Sequence, residues 1–177
     1  YVPIFQRTSA GRYENWYANP GFGDALGVNP PPGAWAVHYP PPLVCPDAEV
    51  AEAQAVGGFP RINLAYGLNE TAVLNLPRYD GMAVGSLAHF GTHINDISAP
   101  AMVILMGDAI AEKSIERASA AKYRGEIAPS AGFFKVTAYR HPGDAANLIF
   151  FDSHVDSATV GELAPDNDDS KELWRIQ

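Results

Sequence analysis

Apolar and polar positions change rhythm along this chain, and the clearest signal lies toward its C-terminal end. From Ala146 to Phe151 every residue except Asn147 is apolar, which suits a strand covered on both sides or central in a sheet. Arg140-His141-Pro142-Gly143 before it reads as a turn. Asp152-Ser153 after it offers short polar side chains for a hairpin corner, with a second strand starting at His154-Val155. Phe134, Val136 and Ala138 alternate with Lys135 and Thr137, predicting a half-exposed strand over Phe133 to Tyr139. Ala101 to Met106 is continuously apolar and predicts a central strand ended by Gly107-Asp108. Asp108 then reads as the cap of a helix from Ala109 to about Tyr123, with Glu112, Lys113, Glu116 and Arg117 on its wet side.

Farther upstream, Asp47 to Val56 predicts a short helix capped by Asp47 and stopped by Gly57-Gly58. Arg61 to Asn69 and Thr71 to Leu76 read as short strands. Strands outnumber helices and the last two are consecutive, so the expected class is α+β, a mainly antiparallel sheet with a few short helices. Residues 1–46 carry Asn29-Pro30-Pro31-Pro32-Gly33 and Tyr39-Pro40-Pro41-Pro42, runs that cannot enter a helix and should lie extended. The organisation expected is an extended Pro- and aromatic-rich arm over 1–46, an α+β domain over 47–164 and an acidic tail over 165–177.

Composition narrows the functional classes. Hydrophobic residues make up 47% and charged ones 18% of the 177, enough apolar material for one domain with a real core. The net charge of -8 argues against nucleic acid or an anionic membrane surface as a partner. No window approaches the roughly 18 consecutive apolar residues of a membrane helix. Cys45 is the single cysteine and, between Val44 and Pro46, reads as a small buried apolar group.

Several segments together resemble one family. Arg140-His141-Pro142-Gly143, the apolar strand, Asp152 and His154-Val155 are similar to the C-terminal signature of prepilin-like (pseudopilin-like) bacterial exported proteins, in which nine residues separate His from Asp-Gly. Val44-Cys45-Pro46-Asp47, Leu64-Ala65-Tyr66-Gly67-Leu68-Asn69 and the stretch from Ile97-Ser98-Ala99-Pro100 to Met106-Gly107-Asp108-Ala109 resemble further family segments in the same order. Two departures stand out. Ten residues separate His141 from Asp152, implying a lengthened turn around Gly143 to Ala146, and Ser153 replaces Gly, implying a corner that does not demand positive φ.

The resemblance implies a pilin-like globular domain, an extracellular or cell-surface location and copies of the chain itself as partners. It also implies a basic leader and a long hydrophobic helix, so the chain beginning at Tyr1 is expected to have lost that helix or never to have had one. The sheet face it covers then needs a substitute: the helix from Ala109, the aromatic opening or another molecule.

Candidate chemistry is sparse. His89 and His93 stand four apart and, with Asp96, His141, Asp152 or His154, could supply a metal site for a hydrolase, but Gly91-Thr92 argues against a helix there. His141 and Asp152 read more simply as a hydrogen-bonded pair fixing the register of two strands. No nucleophile elbow, phosphate loop or paired Cys motif occurs, so no catalytic residue and no cofactor are expected. Asp166-Asn167-Asp168-Asp169 lacks the Gly and Glu of a calcium loop, Lys171 and Gln177 standing in their places. Trp16, Tyr17, Phe22, Trp35, Tyr39 and Trp174 are the candidate assembly aromatics, and the aromatics of the opening could alternatively serve a glycan or surface partner. The leading expectation is a structural subunit of an extracellular filament or pilus- or pseudopilus-like assembly acting by self-association, not an enzyme.

Overall fold

The computed structural model describes residues 26–27, 37–69, 97–110, 114–121, 135–164 and 166–174. Trp16, Tyr17, Phe22, Trp35, His89, His93 and the strand expected at Thr71 to Leu76 lie outside them.

Six strands form one sheet: β1 (Tyr66–Asn69), β2 (Ile104–Ile110), β3 (Ser114–Ile115), β4 (Val136–Thr137), β5 (Ala145–Phe150) and β6 (Val155–Thr159). The order is β3-β1-β2-β5-β6, with β4 paired to the far end of β2. All pairings are antiparallel except β1 with β3. With the three short helices among the described residues, α1 (Glu49–Ala53), α2 (Val160–Leu163) and α3 (Ser170–Trp174), this is the expected α+β class. Among the described residues, no helix is long and apolar enough to cross a membrane.

Both faces of the sheet are used. On one, residues 37–65 with α1 pack Tyr39, Val44, Cys45, Ala51, Ile62 and Leu64 onto Leu68 and Met106. On the other, Ala146, Leu148 and Phe150 of β5 meet Ile104, Tyr139, Leu163 and Trp174. Trp174 is 0% exposed, its Nε1 donating to the Leu163 carbonyl. The acidic segment is therefore anchored at this point. Neither Trp174 nor the buried Tyr39 can serve as the exposed assembly aromatic expected of it, because each already fills its own core.

Several local expectations change for one reason: tertiary pairing overrides local propensity. Gly107-Asp108 does not end the central strand, and Ala109-Ile110 does not begin a helix. Strand β2 continues through all four, and Ala109 and Ile110 pair with Thr137 and Val136 of β4. The residues before it, Pro100–Met102, form a 3-10 turn, and so do Arg117–Ser119 and Ile62–Leu64. Asp47 does not cap α1, whose N-cap position is Ala48. Thr137 is as buried as Val136 and Ala138, so that strand is covered on both sides instead of being half-exposed.

Gly107 is required where it stands. A Cβ there would lie 2.6 Å from Leu148 Cδ2 and 3.2 Å from the Asn147 carbonyl oxygen, so a larger residue would make the buried Leu148 side chain or β5 itself give way.

Candidate functional site

The most polar part of the interior is built where β2 changes partner. Gly107 pairs with Leu148 of β5, whereas Ala109 pairs with Thr137 of β4, leaving Asp108 at the handover. There the Asp108 main-chain carbonyl accepts from Ala138 N–H at 3.0 Å. Its carboxylate Oδ2 accepts from Asn147 N–H at 2.7 Å, a side-chain oxygen doing the work of a ladder carbonyl.

Two cationic or titratable neighbours arrive on consecutive residues. Arg140 donates to the carbonyls of Ala65 and Ala109 at 3.2 and 2.6 Å and sets Nη1 3.7 Å from Asp108 Oδ1. The Arg140 and Asp108 side chains are each 1% exposed, a buried ion pair. His141 places Nε2 3.0 Å from Asp108 Oδ2. A tight turn over Pro142 to Asp144 holds His141 against Ala145 by two main-chain hydrogen bonds, and Gly143 supplies the positive φ of 83° that this turn needs.

The other side comes from the Cys45-Pro46-Asp47-Ala48 turn, closed by Ala48 N–H on the Cys45 carbonyl at 3.0 Å. It delivers Cys45 Sγ to 3.8 Å from His141 Nε2 and the Asp47 carboxylate to 3.4 Å from His141 Nδ1. Asn147 Nδ2 stands 2.9 Å from the same Nε2.

Electrostatics follow from burial. Desolvation raises the Asp108 carboxyl above its ordinary range, against the pull of Arg140, the Asn147 N–H and His141. Burial also pushes the Cys45 thiol up, with Asp47 N–H and Arg140 working the other way and Asp108 adding to the rise. The Tyr66 phenol alongside is pushed up to about 12, chiefly by burial. A buried thiol whose protonated form is favoured is a poor resting nucleophile.

The structure thus brings His141 into a cluster that sequence reasoning assembled differently. His141 does not pair with Asp152. Asp152 instead binds its own neighbour, accepting from His154 N–H at 3.1 Å with Oδ1 2.6 Å from His154 Nδ1, on an exposed corner. The His154 ring stacks on Phe150 at 4.3 Å. The corner also takes a positive φ after all, 75° at Ser153.

The sequence alone does not single out Asp108, Arg140, Asn147 or Asp47 as site residues, and it marks Cys45 only as buried. The available signals were an acid after glycine in an apolar run, a Cys-Pro-x-Asp turn and an Arg-His pair. No family model, curated protein or solved structure matches this sequence.

Proposed function

We propose that this chain is a structural subunit of an extracellular filament or pilus- or pseudopilus-like assembly and that it acts by self-association. The observation that carries the reading is a row of apolar side chains whose cover stops halfway. Leu68, Met106, Ile149 and Val155 lie side by side across β1, β2, β5 and β6 by their register. Leu68 is buried under residues 37–65, Met106 and Ile149 are half-buried, and Val155 is 65% exposed. A β-branched residue this bare, continuous with a core, suits burial against a sister molecule.

The edge of β6 is less suited to strand addition. The N–H groups of Ser157 and Thr159 are already taken by the Asp156 and Glu162 carboxylates, at 2.8 and 2.7 Å. Guarded in this way, an edge resists indiscriminate pairing and leaves face-to-face packing as the route. The resemblance of the His141-to-Val155 segment to exported pilin-like proteins points the same way.

The test is electron microscopy and light scattering of the native chain beside Val155→Asp. Ordered polymers that disappear in the variant, with its circular dichroism unchanged, are expected. A native protein that stays monomeric at high concentration, or a variant that assembles as well as the native chain, overturns the reading.

A further inference from the structure

We propose that Cys45, Asp108 and His141 form a binding site for one divalent cation of borderline-soft character, zinc foremost. This goes beyond the assembly reading and does not depend on it. Cys45 Sγ and Asp108 Oδ2 lie 3.8 and 3.0 Å from His141 Nε2, and one ligand atom from each residue falls within 4.8 Å of the others. A tetrahedral zinc with bonds of about 2.0 to 2.3 Å holds its ligand atoms roughly 3.3 to 3.6 Å apart. The observed spacings bracket that requirement, so only small side-chain adjustments separate this arrangement from a coordination shell.

Three further observations point to a cation. First, His141 Nε2 is overcommitted: a carboxylate oxygen at 3.0 Å, an amide nitrogen at 2.9 Å and a thiol at 3.8 Å surround an atom that carries one proton or one lone pair. A metal ion accepts that lone pair and turns the carboxylate and thiolate from competitors into co-ligands. Second, the outer shell is in place. His141 Nδ1 faces the Asp47 carboxylate at 3.4 Å, the carboxylate–histidine–metal arrangement that fixes the tautomer, and Asn147 N–H orients the ligating Asp108 oxygen at 2.7 Å. Third, the second oxygen of the Asp108 carboxylate, Oδ1, is buried without a hydrogen bond, with the Arg140 guanidinium 3.7 Å away, so the carboxylate's negative charge is only partly met.

Charge also balances. Among the described residues, with Cys45 as thiolate, the three anionic groups Cys45, Asp47 and Asp108 face one guanidinium, that of Arg140, a surplus of two negatives that a divalent cation cancels. The thiol proton passes to solvent as the metal binds. Asn147 stands beside the cluster, where its amide orientation can adapt.

The experiment is equilibrium dialysis of the purified chain against zinc and, separately, cobalt(II), read by metal content and by the thiolate-to-cobalt charge-transfer absorption. One metal per chain is expected, together with that absorption. Cys45→Ser should abolish the absorption and weaken binding at least tenfold, and Asp47→Asn should lower affinity about 10- to 100-fold. His154→Ala, on the exposed corner, should change nothing. Asp47 is solvent-exposed, so its variant keeps the test decisive even where Cys45→Ser fails to fold. Sub-stoichiometric metal, an absorption that survives Cys45→Ser, full affinity in Asp47→Asn, or loss of binding in His154→Ala would each overturn the proposal.

Discussion

Two histidine–aspartate pairs flank β5, one before its first residue and one after its last, and they could hardly be more different in standing. His141 reaches Asp108 across 33 residues of sequence, at a carboxylate that is 1% exposed and also faces Arg140. His154 reaches Asp152 two residues away, on a corner where both side chains remain substantially wet. The distances alone would mislead, since the exposed contact is the shorter, 2.6 against 3.0 Å. What decides their importance is the medium: water screens the outer pair and competes for its hydrogen bonds, whereas at the inner one the carboxylate is shielded from water and every neighbour is a protein group.

The comparison can be broken experimentally, most forcefully at its buried end. Asp108→Ala removes the carboxylate that faces Arg140 and His141 and leaves the Asn147 N–H without this acceptor, and should lower unfolding free energy by about 3 to 5 kcal/mol in urea titration. A loss below about 1 kcal/mol would show that the inner pair is no better than a surface one. Gly107→Ala, next along β2, drives a Cβ into Leu148 and should cost about 1 to 3 kcal/mol by the same assay. An unchanged midpoint would mean that β5 can back away from β2 freely.

At the outer corner the effects shrink and change sign. Ser153→Gly removes a left-handed serine and should gain about 0.5 to 1 kcal/mol, the relief of strain exceeding the added freedom of the unfolded chain. A loss of stability there would mean that the serine side chain has a role of its own. Asp152→Ala should lower the melting temperature at neutral pH only slightly, the pair being exposed. Its carboxyl is held below the ordinary range, first by His154 N–H and then by the His154 ring. Any contribution is therefore present above the ordinary carboxylate range and fades as pH falls through the lowered value. A difference between native and variant that is absent at neutral pH and grows on acidification would contradict this account.

Legibility in the sequence followed the range of the interactions. The β5–β6 hairpin could be read because its apolar run and polar corner are contiguous, and the α+β class follows from a handful of such segments. Asp108 could not be read. Pattern analysis treats Gly-Asp as punctuation, and the groups that make an acid tolerable inside a strand, including His141 and Asn147, come 33 and 39 residues later. Cys45 was legible as buried but not as a neighbour of His141, since the turn that aims it gains meaning only against β2 and the start of β5. Trp174 misled in the opposite direction: an aromatic in an acidic terminal segment reads as a surface feature until Leu163 and the β5 core are seen to surround it.

The Asn147 amide held by a carboxylate has a consequence for exchange with heavy water. Because that hydrogen bond ties β5 to a buried carboxylate of β2 at the point where β2 passes on to β4, its rupture requires the junction to open. The Asn147 amide proton should therefore belong to the slowest-exchanging class, protected as long as the sheet interior as a whole, although its side chain sits at the surface. Exchange as quick as that of the amides in the 152–154 corner would mean that the junction breathes on its own, with the ring of His141 swinging away while the rest of the molecule stays shut.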